Sequence, residues 1–115
     1  MPNWCYNAIE LTGAKEDIDK LESFLKEKEG DDWFDFFLPI PPEHKQGENW
    51  YYWSIENWGC KWNCDAQDWE VQDYDEDNLS IRFWFDSPWG PPIALYEFIS
   101  QDEELTVFGN YHEEG

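Results

Sequence analysis

The chain has 115 residues, enough for one domain and too few for two ordinary ones. It carries 27 acidic residues against 7 basic ones, a formal charge of -20, yet 20% of it is aromatic, with nine Trp, eight Phe and six Tyr. So many rings can build a core, which speaks against a disordered acidic tail, and the charge speaks against direct binding of nucleic acid, nucleotides or an anionic membrane.

Trp4 to Thr12 alternates with period two, Cys5, Asn7, Ile9 and Leu11 on one side and Trp4, Tyr6, Ala8 and Glu10 on the other. That pattern predicts a strand, closed by Thr12-Gly13. From Ala14 to Lys28 the apolar residues Ile18, Leu21, Phe24 and Leu25 share one helical face. Glu16 and Asp17 in the first turn and Lys26 and Lys28 in the last suit the helix dipole, and Gly30 suits a C-cap. Residues 31–64 keep neither period. Trp33, Phe34, Phe36, Phe37 and Leu38 run into Pro39-Ile40-Pro41-Pro42, followed by Trp50-Tyr51-Tyr52-Trp53 and Asn57-Trp58-Gly59-Cys60-Lys61-Trp62. An insert this aromatic is expected to form irregular structure with short helical turns packed onto the sheet. Asp68 to Asp73 alternates again, with Trp69 and Val71 opposite Asp68, Glu70 and Gln72. Turn formers fill 74–78, and Leu79, Ile81, Phe83 and Phe85 make a second alternating strand, so the two read as a β-hairpin. Ser87-Pro88-Trp89-Gly90 breaks it. Pro91 and Pro92 suit the first turn of a helix carrying Ile93, Tyr96 and Ile99 to about Gln101, and Leu105, Val107, Gly109 and Tyr111 alternate as a last strand.

The order β-α-insert-β-β-α-β predicts an α+β fold, a ferredoxin-like βαββαβ two-layer sandwich with both helices on one face of four antiparallel strands. The whole of 1–115 is expected to be one domain, with 31–64 an aromatic, proline-bearing insert. On this parity Trp4, Tyr6, Arg82, Trp84 and Phe108 lie on the face away from the helices. Some RNA-binding domains stack bases on such a face, but only Arg82 among these residues is basic. The expectation is that the Trp-rich insert, residues 33–62, covers that face as a second small core, because large exposed aromatic patches are unusual in monomers.

Catalytic and metal signatures are weak. Cys60 and Cys64, with Cys5, His44 and His112 elsewhere, would bring two thiols together at an i,i+4 spacing only on a helix, and structural zinc uses tighter pairs. The cysteines therefore read as buried or incidental, with no metal. Asp73-x-Asp75-Glu76-Asp77 lacks the glycine and glutamate of a calcium loop, since Asn78 and Trp84 stand at those positions. No Ser-His-Asp or Cys-His signature and no phosphate-binding glycine loop occurs, so the chain reads as non-enzymatic and without a cofactor. The lack of an apolar run of membrane length, the lack of a signal peptide and the odd cysteine count point to the cytoplasm with thiols reduced.

The acidity is skewed along the chain. Residues 1–30 hold seven acids and four lysines, while residues 31–115 hold twenty acids and three bases, a net of -17. Asp65, Asp68, Glu70, Asp73, Asp75, Glu76 and Asp77 have no base between them. This acidic hairpin is the candidate partner-binding site. Fixed negative charge steers association with a basic groove; the same residues would also serve as a charged edge that blocks strand-to-strand aggregation.

Four segments carry a resemblance: the opening Met1-Pro2-Asn3-Trp4-Cys5-x-Asn7, then Glu56-Asn57-Trp58-Gly59-Cys60-Lys61-Trp62-Asn63, then Phe85-Asp86-Ser87-Pro88-Trp89-Gly90-Pro91-Pro92, and a final Tyr111-His112-Glu113-Glu114-Gly115. In this order the chain resembles the YubB-like family of plasmid and phage proteins with a ferredoxin-like domain. Cys60 stands where that family usually has Thr. The resemblance implies a mobile genetic element, a host-cytoplasm setting, no iron–sulfur cluster and no catalytic residues. Joined to the charge, it leads to the expectation of an acidic phage or plasmid protein. Such a protein would inhibit a host nucleic-acid-binding defence protein, of CRISPR or restriction type, by DNA-mimic contacts, without binding nucleic acid itself. The rival expectation is an accessory mobile-element protein that self-assembles or binds a partner through its aromatic surface.

Overall fold

The computed structural model describes residues 4–45, 47, 49–102 and 105–113. Residues 1–3 and 114–115, the outer ends of two of the motifs quoted above, lie outside them. Strand β1 spans Trp4–Ala14, β2 Gln67–Asp73, β3 Asn78–Pro88 and β4 Thr106–Glu113. They form one antiparallel sheet in the order β2-β3-β1-β4. β1 and β2 both run antiparallel to β3, which lies between them, and β3 and β4 both run antiparallel to β1.

Two strands outrun their sequence-based ends. β1 continues through Gly13 and Ala14, opposite Leu79 and Asn78, and β3 continues through Ser87 and Pro88, opposite Cys5 and Trp4. Cross-strand pairing holds these weak strand formers extended. At the far end of β3 the buried Asn7 amide locks the two strands together. Its Nδ2 donates to Ser87 Oγ at 2.9 Å and to the carbonyl of Cys5 at 3.1 Å. Ser87 Oγ in turn donates to the Gly90 carbonyl at 2.6 Å, so the chain is fastened where it leaves the sheet.

Helix α1 spans Lys15–Lys28, α2 Asn49–Asn57 and α3 Ile93–Asp102. α1 buries Ile18, Leu21 and Leu25. Glu29 adopts the left-handed conformation that ends it, at φ 56°, and the Gly30 amide bonds back to the Leu25 carbonyl at 2.8 Å. Gly30 is itself left-handed at φ 85°, and a Cβ there would collide with the Ala66 carbonyl oxygen. α3 buries Leu95 and Ile99 but leaves Ile93 exposed.

The insert is more regular than its sequence suggests, and it packs on the other side from the one expected. Two 3-10 turns, Trp33–Phe36 and Pro42–His44, precede the nine-residue α2. Trp33 meets Phe83 and Phe85 with ring centroids 4.9 Å apart in each case, and Phe34 meets Trp58 at 5.0 Å. Phe83 and Phe85 lie on the helix-bearing face with Ile9, Leu11 and Ile81, so the insert joins the main core there. The fully buried rings of Trp33, Phe34 and Trp58 each fill far more volume than an aliphatic side chain, and this draws the insert onto the central phenylalanines.

Candidate functional site

The seven candidate acids do not form one group. Glu70 and Asp73 lie on β2, an outer strand of the sheet, and Asp75, Glu76 and Asp77 lie in the turn to β3. Asp65 precedes the hairpin, and its Oδ1 accepts the Asp32 amide at 3.0 Å. Asp68 forms the bulge where the β2–β3 register shifts; it is left-handed at φ 51°, and its Oδ1 accepts the Trp69 amide at 3.0 Å. All seven are exposed.

Asp75 builds the turn. Its Oδ1 accepts the backbone amides of Asp77 and Asn78, each at 2.9 Å, and the Asn78 side-chain amide at 2.9 Å. The bonds from the Asp77 amide and then from Asn78 hold its carboxyl below the usual range. Among the described residues, the carboxylates of Glu70, Asp73, Glu76 and Asp77 meet no hydrogen-bond donor and no ion-pair partner, which leaves four of the seven available to a partner protein. Arg82 faces both Glu70 and Glu10 in the register and bonds Glu10, with Nη2 3.4 Å from Oε2.

The sheet face away from the helices is bare. Phe108 is 62% exposed, Tyr6 45% and Trp84 36%. The ring of His112 is stacked beside Tyr6 at 6.4 Å with planes 14° apart. Of this face's expected aromatics, Trp4 meets the insert, with its ring centroid 6.2 Å from that of Trp62. The predicted cover by residues 33–62 is thus corrected: the insert's large rings found Phe83 and Phe85 on the opposite face, and that face could hold them because every β3 residue of its parity from Leu79 to Ser87 is buried.

The cysteines also correct an expectation. Cys60 and Cys64 come together without a helix, both sulfurs approaching the Trp62 carbonyl, at 3.5 and 3.8 Å, in the bent segment between α2 and β2. Contact with the Cys60 thiol and burial push the Cys64 thiol well up. Cys5, Cys60 and Cys64 are all buried. Burial, with smaller contributions from these thiols, pushes the Tyr96 phenol up as well, and its hydroxyl meets no hydrogen-bond partner among the described residues. Among the described residues no group of three or more His, Cys, Asp or Glu side chains is placed to hold a metal ion, and no helix is long and apolar enough to cross a membrane.

The motif residues have structural duties. Trp58 Nε1 donates to the Leu38 carbonyl at 2.8 Å. Gly59, at φ 87°, lets the chain pass within van der Waals reach of the first backbone amides of α3. Asn63 Oδ1 accepts the amides of Phe34 and Cys64, at 3.1 and 2.9 Å. The Trp58 and Asn63 side chains tie parts of the insert to one another, and the backbone at Trp58 and Gly59 brings the insert against α3, duties that gave no signal in the sequence beyond the unusual grouping of these residues. No family model, no curated protein and no solved structure matches the chain.

Proposed function

We propose that the chain is a non-enzymatic acidic binding protein that captures a basic, nucleic-acid-binding protein by occupying the groove that would hold nucleic acid. The observation carrying this reading is the set of four unpartnered carboxylates, Glu70, Asp73, Glu76 and Asp77, on an outer strand and its turn in a chain of charge -20. Glu70 and Asp73 stand opposite Arg82 and Leu79 in the register and so leave β2 on opposite faces of the sheet, and Glu76 and Asp77 follow in the turn, so the acids form a row of negative charge along the hairpin edge that is open on both faces. Such a row raises the rate of encounter with a basic groove and makes the encounter salt-dependent. The motif segments Glu56 to Asn63 and Phe85 to Pro92 support the further reading that the chain is YubB-like and acts for a mobile genetic element, in the host cytoplasm, against a defence protein. The strand order supports a ferredoxin-like assignment. Counted from β4 it is 4-1-3-2, and each helix-bearing crossover passes one intervening strand.

The test uses capture from host lysate at low and high salt, followed by competition between the chain and duplex DNA for the captured protein. Reversing Glu70, Asp73, Glu76 and Asp77 to Lys, with Asp75 kept to preserve the turn, is expected to weaken capture by at least about tenfold at low salt. Unchanged capture by that variant, or a captured protein that DNA does not displace, overturns the proposal.

A further inference from the structure

The bare sheet face has a shallow depression of 490 Å³ between Trp84 and Tyr6. Ala8 lies on its floor, where the small side chain leaves room between the rings; Ala8 is the register partner of Trp84. Asp86 is the register partner of Tyr6 and supplies a carboxylate at the rim. Gln67 Nε2 donates to Asp86 Oδ2 at 3.2 Å and so steadies it, while Oδ1 meets no donor among the described residues. His112, stacked beside Tyr6, limits the swing of that ring. Among the described residues no lysine or arginine lines the depression, and the nearest cation along β3, Arg82, is held by Glu10.

We propose that this depression binds an arginine side chain of the partner protein. The proposal rests on the reading that the partner is basic and names how it is recognised. A guanidinium is flat, has two apolar faces and carries its donors on the edge. Over Trp84 or Tyr6 it gains a cation–π contact, and its edge pairs with the unpartnered Asp86 oxygen. A lysine ammonium is a compact, strongly hydrated charge that meets the carboxylate but matches the rings less well. A nucleobase would also stack on these rings, but it would bring its phosphates against Asp86, Glu10 and a chain of charge -20.

The test is titration of the full chain with hexaarginine and with hexalysine at about 0.15 M salt, followed by backbone and indole amide NMR shifts. Hexaarginine is expected to bind more tightly and to shift Tyr6, Trp84 and Asp86. Trp84→Ala is expected to weaken hexaarginine binding about tenfold and to erase its advantage over hexalysine. Asp86→Asn, which keeps both rings, is expected to weaken both peptides. Equal binding of the two peptides, unchanged by Trp84→Ala and with shifts confined to 70–77, removes the arginine site and leaves the acidic capture reading standing. No binding of either peptide at low salt overturns both. Oligouridine binding at Trp84, or a dimer of this chain that buries Tyr6 and Trp84, overturns the arginine site.

Discussion

The Asp32 and Asp75 carboxyls are shifted in opposite directions from their ordinary range, and the contrast can be measured. Partial desolvation of this exposed residue, followed by the charges of Asp35, Asp65 and Asp31, raises the Asp32 carboxyl. A group raised in the folded state costs stability while it is ionised; that cost fades as pH falls through its folded value towards the unfolded value of about 3.9. Asp75, lowered by its turn bonds, contributes stability at neutral pH that is lost as pH falls through its unfolded and then its folded value. Asp32→Asn should therefore stabilise the fold at neutral pH, with a gain that shrinks towards about pH 4. Asn also accepts the left-handed backbone found there, at φ 50°. Urea midpoints across that range check it, and a gain of constant size would mean that charge is not the cause.

At the scale of elements, the junction of α1 with the strand hairpin depends on one glycine. The Ala66 amide donates to the Gly30 carbonyl at 2.7 Å, so the two backbones touch. Gly30→Ala is expected to cost about 2 kcal/mol or more, from the positive φ and the displaced Ala66 carbonyl, read as a lower denaturation midpoint at unchanged slope. β1 and β3 were legible because Ile9 and Leu11, and Ile81 and Phe83, keep period two, and β2 and β4 because Trp69 and Val71, and Val107, Gly109 and Tyr111, do the same. α2 was not, since Trp50-Tyr51-Tyr52-Trp53 places rings on every face of a helix and only Ser54 is buried. Nor was the side on which the insert packs, which depends on contacts from Trp33 to Phe83 and Phe85 across some fifty residues of sequence. In the candidate site, the exposure of the acids and the parity of Tyr6 and Trp84 could be read directly. The employment of Asp65, Asp68 and Asp75 by backbone amides could not, because it follows from a turn, a bulge and a left-handed residue that strand periodicity does not encode.

For the molecule as a whole, the buried rings and the hairpin acids lie in different places, while Tyr6, Trp84 and Phe108 stay exposed on the open sheet face. Large rings fill the interior between sheet and helices, acids line the β2 edge, and β4, at the opposite edge, has no charged residue from Thr106 through His112. The three buried sulfurs turn this arrangement into a gauge. Cys5 sits on β1, Cys60 follows α2 and Cys64 precedes β2, so each reports a different part of the packed interior. Thiol-reactive dye is expected to reach none of them in native buffer on the timescale that labels all three in denaturant, and the modification rate should follow the free energy of opening. Rapid modification of Cys60 and Cys64 with Cys5 still protected would show that the insert unlatches while the sheet stays closed. The protein can in that way be timed as it comes apart without any added probe site.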